Sequence, residues 1–183
     1  VKIITTKIDG VLIVETDVFG DNRGFFTESY NKQKFEAAGI ANDFIQDNHS
    51  YSAEAGTLRG LHYQLAPKAQ TKLVRAIAGA IYDVAVDIRK ESPTFGEWVG
   101  VILSESNKRQ LLVPKGFAHG FCTLTPHTQV MYKVDELYSK EHDRGIIWSD
   151  LDLDIDWPTL NVVLSDKDIQ LPALREADNN FTV

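Results

Sequence analysis

An all-β sandwich or barrel is the fold this sequence predicts, and three observations carry it. Short runs rich in β-branched and aromatic residues recur at regular spacing along the chain. Gly, Pro and Asp/Asn turn signals separate them. Only one stretch, Asn31 to Gly39, carries helix start and stop signals. Many short strands of this kind bury their apolar faces by stacking or closing sheets.

Taken in order, Ile3 to Thr6 and Val11 to Val14 are strands split by the turn Asp9-Gly10. Gly20 to Gly24 is turn-rich, and Phe25 to Tyr30 returns to strand. Asn31 can cap the helix and Gly39 can end it, with Phe35 and Ala38 on one side. Its shortness marks it as a surface insertion outside the core. Phe44 to Ser52 is polar but strand-like. Lys72 to Ile88 reads as the longest β segment, with Gly79-Ala80 as a bend where strands curl. From Ile81 the alternation puts Tyr82, Val84, Val86 and Ile88 on one face, Asp83 and Asp87 on the other. Trp98 to Leu103 and Gln110 to Val113 are further strands. Phe117 to Leu124 and Thr128 to Val134 read as a pair around Thr125-Pro126-His127. The tail, through Trp148, Trp157 and Val162 to Leu164, holds little helix.

The chain has 183 residues and a formal net charge of −7. That length suits one domain with a real core. The acidic balance argues against a nucleic-acid or membrane-surface binder, which needs a basic face, but leaves room for a small anion at a local basic cluster. The single cysteine, Cys122, excludes an intrachain disulfide framework and fits a cytoplasmic enzyme. No apolar run is long enough to span a bilayer, and no signal-peptide pattern is present.

Chemistry concentrates in Gly56-Thr57-Leu58-Arg59-Gly60-Leu61-His62-Tyr63-Gln64, followed by Lys72 and Arg75. A fixed cation beside an imidazole suits an anionic substrate that must lose or gain a proton. Pro114-x-Gly116-x-x-His119 has the form of the second half of a cupin motif, a hairpin whose histidine points into a barrel. The first half would supply His-x-His and a glutamate, and here it offers His62 alone. Two histidines make a poor metal site. The chain is thus read as a cupin-type jelly roll, with a few short helices, that uses its histidines for something other than metal.

Motifs through most of the chain carry a closer resemblance: Asp21-Asn22-Arg23-Gly24-Phe25-Phe26-Thr27-Glu28, Gln46-Asp47-Asn48-His49-Ser50, Leu58 to Gln64, Lys72 to Arg75, Val113 to Phe121, Tyr132 to Asp135 and Leu164 to Asp168. In this order they resemble the dTDP-4-dehydrorhamnose 3,5-epimerases, cofactor-independent isomerases of the dTDP-L-rhamnose route. These invert C3 and C5 of dTDP-4-dehydro-6-deoxy-D-glucose. The protons at both carbons flank the C4 ketone, so removing either gives an enolate without metal or redox help. The resemblance implies that His62 is the base and Tyr132 the acid on the opposite face, with Lys72 near O4, where a donor is needed. Read without it, Tyr132 is a core aromatic and Lys72 a solvated strand-end lysine. The resemblance pairs His62 with Asp168; the strand alternation leaves Asp83 as an alternative partner. It implies that His119 contacts the sugar, and that Arg59, Arg23 and Lys167 meet the pyrophosphate, which favours guanidinium partners. Tyr138 would stack on thymine, Glu28, Gln46, Asp47 and Asn48 would make edge and phosphate-side contacts, and Asp143 would touch the substrate. It further implies a homodimer in which the Arg23 region serves the partner's pocket. Two other classes fit parts of the pattern: a metal-dependent cupin and a non-catalytic sugar-nucleotide binding module. A tyrosine at 132 favours double over single epimerisation.

Overall fold

The computed structural model describes residues 1–183. The strands are β1 (Lys2–Thr5), β2 (Leu12–Glu15), β3 (Val18–Asp21), β4 (Gly24–Thr27), β5 (Gln46–Ser52), β6 (Leu58–Gln64), β7 (Lys72–Ala78), β8 (Ala80–Asp87), β9 (Trp98–Ser104), β10 (Gln110–Val113), β11 (Phe117–Thr123), β12 (Thr128–Val134) and β13 (Asp143–Gly145). The helices are α1 (Lys32–Ala37) and α2 (Asp166–Ile169). A six-stranded sheet runs β1-β2-β10-β7-β12-β5 and a five-stranded sheet β13-β6-β11-β8-β9, while β3 and β4 form a separate hairpin. All strand pairings in the two sheets are antiparallel. The all-β cupin-type expectation is met.

The apolar side chains fall into three layers. Val74, Ala76, Leu111 and Val130 of the six-stranded sheet meet Ile81, Ala85, Phe117 and Phe121 of the five-stranded sheet. The C-terminal segment lays Ile146, Leu153, Trp157 and Phe181 on the outer side of the five-stranded sheet, against Leu58, Leu61, Val84 and Val86. On the outer side of the six-stranded sheet, Phe35 of α1 packs with Val14, Leu73 and Leu112.

Three expectations need correction. The Lys72 to Ile88 segment breaks at Gly79, whose φ of +74° suits glycine, and its halves enter different sheets. A Cβ there would stand 2.5 Å from the hydroxyls of Thr125 and Thr128. β11 and β12 are not partners: β11 lies between β6 and β8, and β12 between β7 and β5. Both segments thus connect one sheet to the other. Nor is α1 a mere surface insertion. Asn31 caps it as expected, accepting from Lys34 N–H, but Phe35 is fully buried and seals the outer layer.

Strand β8 shows why the site lies between the sheets. Its apolar side faces the C-terminal segment, and its other side faces the six-stranded sheet. The side bearing Asp83 and Asp87 is therefore interior, and both carboxylates are fully buried. Asp87 is satisfied by Arg89, Ser92 and Thr94, whose hydrogen bonds outweigh the effect of burial and hold its pKa down at about 2.

Candidate active site

Arg59 and His62 share one strand, and period-2 alternation would send residues three apart to opposite faces. The structure resolves this with an irregularity. His62 pairs with His119 and Arg59 with Phe121, so β6 spends one residue more than β11 over that interval. Gly60 permits it: its φ is +132°, and a Cβ would stand 2.6 Å from Gly120 Cα. Arg59 and His62 thereby line one cleft, while Leu58 and Leu61 join the outer core.

The cleft has a volume of about 380 Å³ and is walled by both sheets. His62 and His119 stand on the five-stranded sheet, and Lys72 and Tyr132 on the six-stranded sheet. An adjoining lobe of about 170 Å³ shares His62, Lys72, Tyr132 and Lys167 and adds Asn48, Tyr138 and Asp143. Together they form a ligand-sized, polar-studded cavity.

The His62 ring is held by Asp168. Nε2 lies 2.6 Å from Asp168 Oδ1, while Oδ2 accepts the Gly60 N–H at 3.1 Å. Asp168 is 2% exposed. Burial alone would raise its pKa; the His62 and Gly60 hydrogen bonds overcome that and lower it. Its position comes from α2, whose N-cap Ser165 accepts the Asp168 N–H. An ionised carboxylate only accepts, so Nε2 carries the proton of this hydrogen bond and Nδ1 is the ring nitrogen left to face the cleft. The open choice of partner is thus decided: Asp168 meets His62, and Asp83 meets His119, Oδ1 to Nε2 at 2.7 Å.

Opposite them, Lys72 is almost wholly buried, and its ammonium lies 5.8 Å from the Tyr132 ring centre. Burial pushes its pKa down to about 8, with Asp83 and Asp143 pulling the other way. Burial also raises the Tyr132 hydroxyl, against the pull of Asn48 and Arg59. Tyr132 pairs with Asn48 across β12 and β5. Arg59 is pinned at the rim, donating to Tyr51 O at 2.9 Å and Ser52 Oγ at 3.3 Å. Lys167 pairs with Asp143 at 2.6 Å beside the exposed Tyr138 ring.

Of the residues singled out in the sequence, Arg59, His62, Lys72, His119, Tyr132, Lys167 and Asp168 line the cleft, and Asn48, Tyr138 and Asp143 its second lobe. Gln46 reaches it only through Asn48, to which its amide donates. Asp47 points to the other face of β5, paired with Lys133. Arg23 and Glu28 stand apart, paired with Asp21 and Lys34. Sequence reasoning missed Ser165 and the Gly60 N–H, both of which act through Asp168, and the lining residue Ser50. The Ser165-x-x-Asp168 spacing is a legible N-cap signal. No group of three or more His, Cys, Asp or Glu side chains is arranged to hold a metal ion.

A protein-family model described as dTDP-4-dehydrorhamnose 3,5-epimerase matches residues 5–176. The curated dTDP-4-dehydrorhamnose 3,5-epimerase of Shigella flexneri is 57% identical over 178 residues, 97% of this chain and 98% of that protein. Among solved structures, the Bacillus anthracis enzyme with TDP and PPi bound is 62% identical, with a TM-score of 0.92 covering 94% of this chain and 98% of that one. The Legionella pneumophila epimerase in complex with dTDP-4-keto-L-rhamnose is 49% identical, again with a TM-score of 0.92, covering 97% and 94%. The motifs, the interior cleft and these full-length matches agree: this chain belongs to the dTDP-4-dehydrorhamnose 3,5-epimerase family, isomerases of dTDP-rhamnose biosynthesis.

Proposed function

We propose that His62 is the base and Tyr132 the acid in epimerisation of dTDP-4-dehydro-6-deoxy-D-glucose at C3 and C5, giving dTDP-4-dehydro-L-rhamnose. One observation carries this reading: a carboxylate-oriented histidine and a buried tyrosine on facing sheets of one cleft. His62 Nδ1 takes the proton from C3 or C5. The C–H bonding pair becomes the C=C of an enolate, and negative charge moves to O4. Lys72 stabilises that charge; its low-dielectric setting strengthens the effect. Tyr132 then gives its hydroxyl proton to the same carbon from the other side, and solvent restores both groups. Because the ketone is already present, no redox cofactor is needed.

Arg59 and Lys167 meet the pyrophosphate, His119 the sugar, and Tyr138, 59% exposed, offers a face for thymine. Asn48 and Asp143 line the adjoining lobe as further polar contacts. The active form is a homodimer. The β3–β4 hairpin supports this: Phe19, Phe25 and Phe26 are each at least 60% exposed on it, an apolar surface that a second copy would cover. Arg23 and Glu28, at this hairpin, then serve the neighbouring copy's pocket, with Gln46 and Asp47 contributing at the edge of β5. A cytoplasmic location is part of the same reading, supported by a nucleotide-sugar substrate and a single buried free thiol. No helix is long and apolar enough to cross a membrane.

The test is solvent exchange. Chelator-treated protein is incubated with the 4-keto sugar nucleotide in heavy water and followed by NMR. Deuterium at both C3 and C5 with inversion is expected. Label at one carbon alone makes it a mono-epimerase, and activity only after metal addition overturns the metal-free reading.

A further inference from the structure

We infer that Asp83 is a positioning residue for Lys72: its free carboxylate oxygen keeps the Lys72 ammonium charged and directed into the cleft. The inference rests on the reading that Lys72 stabilises the charge at O4. Asp83 is fully buried on β8, with Oδ1 on His119 and Oδ2 without any hydrogen-bond partner. Half of a buried carboxylate left bare is costly and calls for a compensating charge. Lys72 faces the same interior from β7, is 9% exposed, and has the Tyr132 ring as its close neighbour instead of an ion-pair partner. A buried carboxylate with one oxygen unpaired and a buried ammonium with no ion-pair partner then stabilise one another across the sandwich.

Chemistry argues the same way. A carboxylate beside a developing enolate opposes catalysis, unless its charge is spent on holding a cation. The other titratable groups that line the cleft with Lys72 are Asp143 from β13, Lys167 and Asp168 from α2, Tyr132 from β12 and Tyr138 after it, Arg59 and His62 from β6 and His119 from β11, of which Asp168 is committed to His62. Asp143 is already paired with Lys167 at 2.6 Å, so its charge is largely committed. Asp83 is the foremost charge holding Lys72 up against burial. Asp83 therefore connects His119, a sugar-facing group, to the cation at O4.

The pH dependence of kcat/KM tests this. In Asp83→Asn the alkaline limb moves to lower pH by about one unit, because Lys72 loses its proton sooner. In Lys72→Arg the guanidinium does not titrate, so adding Asp83→Asn moves the limb no further. If Asp83 merely orients His119, Asp83→Asn lowers kcat/KM equally at every pH, and the inference is wrong. A thermal double-mutant cycle needs no activity. The Tm losses of Asp83→Asn and Lys72→Met should exceed that of the double variant by about 3 °C or more; strict additivity overturns the pairing. Should Asp83→Asn alone not fold, the double variant should recover folding, and its failure to do so counts against the pair. Full activity in Lys72→Met would refute the role at O4, while the cycle still decides the pairing.

Discussion

Asp168→Asn is the most informative single change, because it alters one atom of a buried side chain. The carboxylate faces two donors, His62 Nε2 at 2.6 Å and the Gly60 N–H at 3.1 Å. An amide has one acceptor and one donor side. The Gly60 N–H is backbone and cannot reverse, so the asparagine oxygen turns to it. Its NH2 group then meets His62 Nε2, which must become an acceptor. The ring proton moves to Nδ1, and the base is lost. Restoring the working tautomer leaves two donors facing each other in a buried site, at a cost of about 2–3 kcal/mol. The imidazolium formed during reaction also loses its charge-assisted hydrogen bond, about 1.5–3 kcal/mol more. The sum, roughly 3.5–6 kcal/mol, corresponds to a fall in kcat of about 4 × 10² to 2 × 10⁴. KM should change by no more than about threefold, since Asp168 is buried behind His62. Asp168→Ala leaves the tautomer free and should be less damaging, at about 10². Steady-state kinetics together with deuterium wash-in at C3 and C5 measure both. An Asp168→Asn enzyme within tenfold of the parent, or less impaired than Asp168→Ala, would sink the tautomer argument.

Tyr132→Phe removes the proposed acid while keeping the ring. Deuterium exchange at one carbon should then outrun net inversion, and full-rate epimerisation would show that another group supplies the proton. Phe35→Ala should cost about 3–5 kcal/mol, because this ring is fully buried between α1 and the six-stranded sheet; urea denaturation checks it, and a loss under 1 kcal/mol would return α1 to the status of a surface insertion. Asp87 has a folded pKa of about 2, below its ordinary 3.8. Its contribution, roughly 2 kcal/mol, is present above pH 3.8 and is lost as pH falls toward 2. Asp87→Asn should therefore be less stable at neutral pH yet flatter between pH 4 and 2. An unchanged acid limb in denaturant titrations at several pH values would refute this.

Much of this protein was determined by the sequence alone. β-branched runs and turn residues are local signals, so the strands over 2–5, 12–15, 98–104 and 110–113 lie close to where they were read. The Asn31 cap and the positive φ of Gly39 are likewise local, and they appear as expected. Which strand lies beside which is not local. Lys72 to Ile88 reads as one segment because both halves are strand-forming, yet only three-dimensional closure shows that Gly79 sends them to different sheets. The same closure separates β11 from β12 and buries Phe35.

The site divides in the same way. The residue types were legible, since an arginine, two histidines, a lysine and a tyrosine stand out within strand-like segments. Their assembly was not. Arg59 and His62 reach one cleft only through the extra residue that Gly60 allows against Gly120. Asp168 reaches His62 across 106 residues of chain, and Asp83 turns to His119 instead because β8 buries its polar side between the sheets. Local propensity is written residue by residue. The environment that holds His62 against Asp168, and buries Lys72 beside Tyr132, arises only where two sheets exclude water around side chains distant in sequence.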